Sequence, residues 1–342
     1  MTETPEATAD RADCIDSIGH ERRVVKTICF VVATKDRPND LRRMLDSLAK
    51  QTSPPALVIL ADSSAISVSF VVDEFRKRLN LQYLRHQPPS ASGQRNAGIQ
   101  AVPSDIDFVA FLDDDATLEP DALEKMLAFW ATAPSDVGGA TFNMVNHPAQ
   151  AMQGVKRWPM VKALGLYTNQ PGRVTRSGWQ TMIGFVPKDL AVEWLPSGAV
   201  VWRAEILKTC RFDEFFEGYS YLEDLDFSYT LGRGWRLTAV AGARYNHYPS
   251  TLRHSRPLGF GKTEVRNRFY LVRKHGLSYS QCWLGLILRM GMTLCYGVVH
   301  FDRDALSRVC GNCLSMAAEL KSLLARSNRA REKDEARDIT AM

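Results

Sequence analysis

Short apolar runs alternate with helix-spaced apolar positions along the first third of this chain. Thr27-Ile28-Cys29-Phe30-Val31-Val32-Ala33 has the bulk and continuity of a buried strand and ends in the polar loop Thr34-Lys35-Asp36-Arg37-Pro38. Leu41, Met44, Leu45 and Leu48 then recur at helical spacing. A second run, Leu57-Val58-Ile59-Leu60-Ala61, stops at Asp62-Ser63-Ser64, and Val71, Val72, Phe75 and Leu79 mark a second helix. Leu81-Gln82-Tyr83-Leu84 reads as a third strand, and the loop 88–93 leads into a short helix with Arg95 in its first turn. The run Asp107-Phe108-Val109-Ala110-Phe111-Leu112 is another buried strand, closed by Asp113-Asp114-Asp115. This rhythm predicts an α/β fold: a mostly parallel sheet with helices on both faces.

Ligands of such sheets bind beyond the carboxyl ends of the strands, so the loops at Asp36, Asp62 and Asp113 to Asp115 are expected on one rim. Three adjacent acids after an apolar strand repel one another, and a hard divalent cation among them would relieve the cost. Asp113 and Asp115, one residue apart in an extended segment, point to the same side, the spacing a metal-bridged diphosphate needs. The competing reading is a polar turn before the helix that Pro120 opens.

Beyond residue 140 the pattern weakens. Residues 140–192 are rich in Gly, Pro, Trp and Asn, and read either as a long acceptor-side insertion or as a few irregular strands. Regularity returns at Pro196 to Trp202, a strand. Leu222, Leu225 and Tyr229 give the segment around Glu223-Asp224-Leu225-Asp226 a helical face that Gly232 ends, and Trp235 to Val240 is a further strand leading to His247. Trp194, Trp202 and Trp235 lie in or beside apolar runs, which suits the core, with Trp194 also a candidate on the acceptor side.

Composition adds bounds. The 342 residues are 45% hydrophobic and 24% charged, ordinary for a globular protein, and a formal charge of +5 is too small to argue for a nucleic-acid partner. The opening residues show no secretory signal pattern, and seven scattered cysteines form no disulfide framework, so a reducing, cytoplasmic setting is expected. Cys310 and Cys313 form a lone CxxC within a helical pattern, read as a coincidence of helix spacing.

The ordered set of motifs resembles the family-2 glycosyltransferases, inverting enzymes of the GT-A fold. The matching pieces are Ala33 to Pro38, Asp62, Gly93-Gln94-Arg95-Asn96-Ala97-Gly98, Phe111 to Asp115, Ser197-Gly198-Ala199, Phe212-Asp213-Glu214 and Glu223 to Asp226. They cover roughly residues 25 to 275; residues 140–192 align with nothing in the family pattern. The resemblance implies a GT-A domain over 25–276, with a nucleotide-sugar half to about 135 and an acceptor half after it. Outside it are expected a disordered segment 1–24, apolar or amphipathic helices over 277–326, and a charged, disordered tail 327–342.

Carried over, the resemblance makes Asp115 the chief ligand of a divalent metal, Mn²⁺ or Mg²⁺, with Asp113 near the metal and the ribose and His247 completing the shell. Thr34, Asp36, Asp62, Arg95, Asp113 and Asp114 would hold the nucleotide sugar. A carboxylate at Asp62 accepts from uracil or thymine N3–H, or from the comparable N1–H of guanine, but finds no such donor on cytosine, which disfavours a CMP-sugar. Its alternative is an Asx-turn after a strand. Arg95 suits a phosphate or the Asp62 carboxylate. Asp224 would be the single general base of an inverting transfer, with Glu223 and Asp226 raising its pKa and Glu223 on the acceptor side. The implied activity moves a sugar from a UDP- or dTDP-sugar to a glycan or lipid-linked hydroxyl. A sugar nucleotidylyltransferase, or a non-catalytic scaffold on the same fold, is the alternative.

The C-terminal part suggests docking on an anionic membrane surface. Arg253, Arg256, Lys262, Arg266, Arg268, Arg273 and Lys274 outnumber Glu264 in their stretch, and Cys282 to His300 is almost wholly apolar. Arg289, Thr293, Tyr296 and His300 fall on one helical stripe, which favours a helix lying in the interface over one crossing it. Packing on the catalytic domain or on a partner subunit is the other reading, and an oligomer is left open.

Overall fold

The structure is a computed structural model and describes residues 26–146, 159–218, 220–249 and 257–340, with side chains to residue 325. The expected disordered segment 1–24, and Arg253 and Arg256 of the basic run, lie outside the described residues.

The first half follows the pattern of apolar runs. β1 (Ile28–Thr34), α1 (Pro38–Ala49), β2 (Leu57–Asp62), α2 (Ser69–Phe75), β3 (Leu81–Arg85), α3 (Ala91–Gln100) and β4 (Phe108–Leu112) succeed one another, and the strands pair in parallel in the order β3-β2-β1-β4. Continuous apolar runs are required because successive side chains of each strand enter different cores. Ile28, Phe30 and Val32 pack with Leu41 and Met44 of α1 and Val71 and Val72 of α2, whereas Cys29 and Val31 pack with Ile99 of α3. The connections leave β1 for β2 on one side and reach β4 on the other, which creates a topological switch point between the ends of β1 and β4.

The second half departs from the parallel expectation. It comprises β5 (Ala116–Leu118), α4 (Ala122–Thr132), β6 (Val137–Met144), α5 (Pro159–Ala163), β7 (Leu190–Val192), β8 (Ala199–Arg203), α6 (Glu223–Leu231) and β9 (Arg236–His247). β8 is antiparallel to both β4 and β6, β5 and β7 are antiparallel to β9, and β6 with β9 is the parallel pair. Parallel neighbours need a covering crossover, and β8 instead enters from the irregular stretch before it. That stretch, among the described residues of 140–192, is the end of β6, the short α5, turns and β7. β6 escaped the apolar pattern because Gly138 and Gly139 interrupt it. A Cβ on Gly138 would lie 2.7 Å from Trp235, and one on Gly139 would lie 2.5 Å from the Trp202 ring, so the two indoles take the space side chains would fill. Helices cover both faces, with α4 beside α1 and α2, and α6 beside α3.

α7 (Pro257–Lys274), α8 (Tyr279–Val299) and α9 (Arg303–Thr340) form a bundle, so the helical extension begins with α7 rather than after residue 276. Val265, Phe269, Val272, Cys282, Leu286 and Met316 make its core. α7 and α9 cross with backbones in contact, since a Cβ on Gly261 would collide with the Arg308 carbonyl and one on Gly311 with the Leu258 carbonyl. The buried Glu264 of α7 accepts from Arg289 of α8 at 2.8 Å and from Arg308 of α9 at 2.8 and 3.0 Å. α9 continues helical to Thr340, where a disordered tail was expected; the Arg, Glu, Lys and Ala there are strong helix formers with no Gly or Pro among them.

Four of the seven cations of the basic run have partners within the protein. Arg268 donates to the Gly178 carbonyl and stacks on Trp179, Arg273 pairs with Glu319, and Lys274 pairs with Asp213 and Asp226. Arg266 reaches Glu217 at 3.6 Å. Arg289 pairs with Glu264, whereas Tyr296 and His300 of its stripe are exposed. α8 nonetheless exposes Leu284, Ile287, Leu294, Val298 and Val299, and is long and apolar enough to cross a membrane by length and composition alone. Cys310 and Cys313 are exposed on α9, with Cys313 Sγ 3.4 Å from Met290.

α3 lies so close to β1 that a Cβ on Gly98 would fall inside the Val31 side chain. Gly98→Ala is therefore expected to lower stability by about 1–3 kcal/mol through overpacking despite alanine's better helix propensity. Urea unfolding of the two proteins checks the sign.

Candidate active site

Four elements deliver the candidate residues to the rim at the switch point: the loops after β1 and β4, the helix α3, and the start of α6. Thr34, the last residue of β1, donates from Oγ1 to Asp114 Oδ2 at 2.7 Å and so ties the two strand ends together. Asp114 is buried, and burial pushes its carboxyl up to about 7 despite the Arg37 guanidinium beside it. Arg37 Nη1 lies 2.9 Å from Asp114 Oδ1 and 3.2 Å from Asp115 Oδ2. On the other side of Asp115, His247 Nε2 stands 3.2 Å from Oδ1, and this contact raises the imidazole pKa. β9 brings His247 there by pairing with β5, which sets His247 opposite Ala116.

Asp113 faces differently. Its Oδ1 accepts from Arg95 Nη2 at 2.9 Å, and its backbone N–H donates to the Gly198 carbonyl at 3.0 Å. A Cβ on Gly198 would stand 3.0 Å from Asp113 Oδ2, which accounts for the glycine of Ser197-Gly198-Ala199. Asp113 and Asp115 thus take separate cationic partners, where the sequence placed both on one metal.

Arg95 is only 6% exposed and extends from α3 to Glu223 as well as Asp113, with its guanidinium 5.6 Å from the Phe212 ring. Burial works against its charge, but Glu223 and Asp113 more than offset it. Asp62, the partner expected from sequence, is engaged elsewhere. It has no exposed surface and accepts from Ser64 N at 2.7 Å, Val68 N at 3.1 Å, Tyr83 Oη at 2.5 Å and Arg85 Nη1 at 2.6 Å. Burial pushes this carboxyl up, and the hydrogen bonds from Ser64 and Tyr83 more than reverse that. These contacts fit the Asx-turn reading, with Oδ1 accepting from Ser64 N and Oδ2 taking the other three donors. Asp36 is exposed on the neighbouring loop in a left-handed conformation (φ 55°), its Oδ1 accepting from Ala65 N at 2.9 Å.

Asp224 opens α6, half-buried, one residue from Glu223 and within electrostatic reach of Arg95 and Asp113. The chain enters this helix through two left-handed residues that are not glycine, Ser220 (φ 54°) and Leu222 (φ 77°). Such conformations cost of order 1–3 kcal/mol each and persist where packing over-determines them. Leu222 is held by Trp194, Phe216, Leu225 and Leu271. Burial raises Asp224 above the ordinary carboxylate range, with Asp113 adding to it and Arg95 opposing.

Three expectations are corrected here. Asp226 does not crowd Asp224, because Lys274 at 2.7 Å and His275 at 2.9 Å take up its charge. Glu223 is buried and committed to Arg95, so it is not presented to an acceptor. Trp194 is 1% exposed and donates from Nε1 to the Thr181 carbonyl at 3.0 Å; it supports α6 from behind.

Sequence reasoning assigned no role to Arg37, Gln94 or Asn96. Gln94 Nε2 donates to the Thr34 and Ala61 carbonyls at 2.9 and 2.6 Å, clamping the ends of β1 and β2. Asn96 exchanges hydrogen bonds with the Phe212 backbone at 2.9 and 3.0 Å. The three acids did call for positive charge, and Arg37 in the adjoining loop was the available signal.

Comparison with known proteins then decides the family: residues 29–184 match the model described as "Glycosyl transferase family 2". Residues 29–184 are a family-2 glycosyltransferase domain. The sheet that carries it is mixed, with helices on both faces, and a C-terminal helical extension follows. The chain is similar to the putative glycosyltransferase EpsH of Bacillus subtilis strain 168, 33% identical over 102 residues. It is also similar to the succinoglycan biosynthesis protein ExoW of Rhizobium meliloti strain 1021, 36% identical over 91 residues. These matches span 29% and 28% of the relatives' lengths and 29% and 25% of this chain. Among solved structures, S. aureus TarS 1–349 in complex with UDP-GlcNAc aligns with a TM-score of 0.49 at 15% identity, over 86% of this chain and 92% of that one. In this family-2 domain every carboxylate of the Phe111 to Asp115 motif is engaged by a cation or hydroxyl at the rim.

Removing the central cation leaves Glu223 and Asp113 without their partner. Arg95→Met is expected to cost about 3–5 kcal/mol, the usual penalty for breaking a buried ion pair from one side. Arg95→Lys should recover only part of it, since an ammonium cannot fork between two carboxylates. Thermal melts of the three proteins check the order.

Proposed function

We propose that this chain is an inverting, metal-dependent glycosyltransferase that moves a sugar from a nucleoside diphosphate donor to a hydroxyl of a growing glycan or lipid-linked glycan. The observation that carries the reading is the half-buried Asp224, held at the start of α6 beside Glu223, which Arg95 ties to Asp113, on the same rim as the Asp115–His247 pair. One carboxylate base suffices for inversion, since the acceptor oxygen attacks the anomeric carbon opposite the leaving nucleotide and no covalent intermediate forms. Asp224, raised above the usual carboxylate range, is suited to take the acceptor proton near neutral pH. The names of the similar proteins, a glycosyltransferase and a succinoglycan biosynthesis protein, support a role in building polysaccharide.

Asp115 and His247 fit a divalent cation by their chemistry. A carboxylate oxygen and an imidazole nitrogen 3.2 Å apart form a partial shell suited to Mn²⁺ more than to Mg²⁺. Among the described residues no group of three or more His, Cys, Asp or Glu is arranged to hold a metal, so donor phosphate oxygens would have to complete the shell. When bound, such an ion neutralises charge on the leaving diphosphate. Thr34 and Asp114 position Asp115, and Arg95 holds Asp113 toward the donor side. The apolar surface of α8 is consistent with work beside a membrane on the cytoplasmic side.

Incubating the protein with Mn²⁺ and a panel of UDP-, dTDP- and GDP-sugars, and measuring slow donor hydrolysis, tests the reading; a nucleotide-binding scaffold would release no sugar from any of them. Asp224→Asn is expected to keep donor binding and lose on the order of 10²–10⁴-fold in turnover. In the wild type, Asp224 must be ionised to accept a proton and its pKa is raised. Activity should therefore fall with decreasing pH along an acid limb that lies above the ordinary carboxylate range; a limb near pH 4 would be the wrong result. Asp115→Ala should abolish metal-stimulated nucleotide binding, measured by calorimetry with and without Mn²⁺.

A further inference from the structure

Arg37 touches two of the three consecutive acids. It is the N-cap residue of α1, with its side chain 16% exposed, and the same Nη1 contacts Asp114 Oδ1 at 2.9 Å and Asp115 Oδ2 at 3.2 Å. Asp114 also accepts from Thr34 Oγ1, and Asp115 also faces His247. Arg95 approaches Asp113 from the opposite side. The guanidinium therefore already stands against an oxygen of Asp115, in direct competition with any divalent ion that would use that carboxylate.

We propose that Arg37 is a displaceable counter-charge, which a divalent ion must move off Asp115 and which the donor diphosphate then receives, so that metal and diphosphate bind cooperatively. This rests on the reading of Asp115 and His247 as metal donors. A guanidinium carries five N–H donors, enough to keep Asp114 while turning to a phosphate, and its planar fork matches phosphate oxygens. Without a diphosphate, moving Arg37 costs its contact with Asp115 and sets two cations side by side. With a diphosphate, the same movement exchanges one anion for another. Linkage makes the effect reciprocal: the factor by which diphosphate tightens the metal is the factor by which the metal tightens diphosphate. Among the described residues no third His, Cys, Asp or Glu joins Asp115 and His247, so the phosphates would supply both further ligands and the new partner for Arg37.

The test titrates Mn²⁺ into the full-length protein and into Arg37→Gln, reading free ion by electron paramagnetic resonance and bound ion by water-proton relaxation, with and without UDP or GDP. The wild type is expected to bind Mn²⁺ weakly alone and about 10-fold or more tighter with either nucleotide, within the usual range of coupling. Arg37→Gln should bind Mn²⁺ alone about 10-fold tighter than the wild type and lose most of the nucleotide-dependent gain. Arg37→Lys, a single ammonium that cannot span both carboxylates, should fall between them and serves if the Gln variant unfolds. Mn²⁺ binding that is unchanged or weaker in a folded Arg37→Gln, with the coupling intact, overturns the inference alone. No Mn²⁺ binding by either protein, even with nucleotide, overturns the metal reading and this inference together.

Discussion

A buried guanidinium holds the two halves of the domain together. Arg95 rises from α3 between Asp113 at the end of β4 and Glu223 at the start of α6, and no other single side chain reaches both. Placing a charge there is costly, so the arrangement stands only because both carboxylates accept it and the Phe212 ring covers it. Its consequence is geometric. The rim at the ends of the parallel strands and the start of α6 are set relative to each other by this planar fork, since the sheet does not include α6.

The same logic recurs outward from the site. Asp226, two residues past the base, is neutralised by Lys274 and His275 at the end of α7, and Asp213 shares Lys274 while accepting from Tyr270 Oη at 2.6 Å. These contacts anchor the bundle to α6 from behind, and Leu271 inserts between Trp194 and Leu225 to fill the space. Glu264 repeats the device within the bundle, one buried carboxylate joining three helices. Each is a low-exposure acid whose desolvation is compensated by cations from elements distant in sequence. The basic run read as a membrane surface patch is spent largely on these internal pairs. The apolar face of α8 remains outside them.

Positive charge is also what organises the acid-rich rim. Three adjacent aspartates at one strand end would repel, and the chain answers with Arg95 for Asp113, Thr34 for Asp114, His247 for Asp115, and Arg37 shared between the last two. Among the described residues no group of three or more His, Cys, Asp or Glu is gathered to hold a metal. A cleft of this kind is suited to a ligand that brings its own anionic oxygens.

Local signals were sufficient for the strands β1 to β4, the helices between them and the position of the rim, because a strand buried on both faces must be continuously apolar and its polar loop must follow at the carboxyl end. The acidic motif after β4 and the acidic start of α6 were legible for the same reason: a run of carboxylates has few places to sit on a folded chain. The sequence could not show which cation meets which acid. Asp62 went to Tyr83 and Arg85 of the next strand rather than to Arg95, and Asp226 went to His275, nearly fifty residues on. Nor could it show the antiparallel β8, or β6 with glycines cut to fit Trp202 and Trp235, since those depend on what packs against the strand from elsewhere. Residue type determined where charge and apolar surface must lie; the tertiary structure decided the pairings, because the energy of a buried charge depends on partners that only the folded topology brings within hydrogen-bond distance.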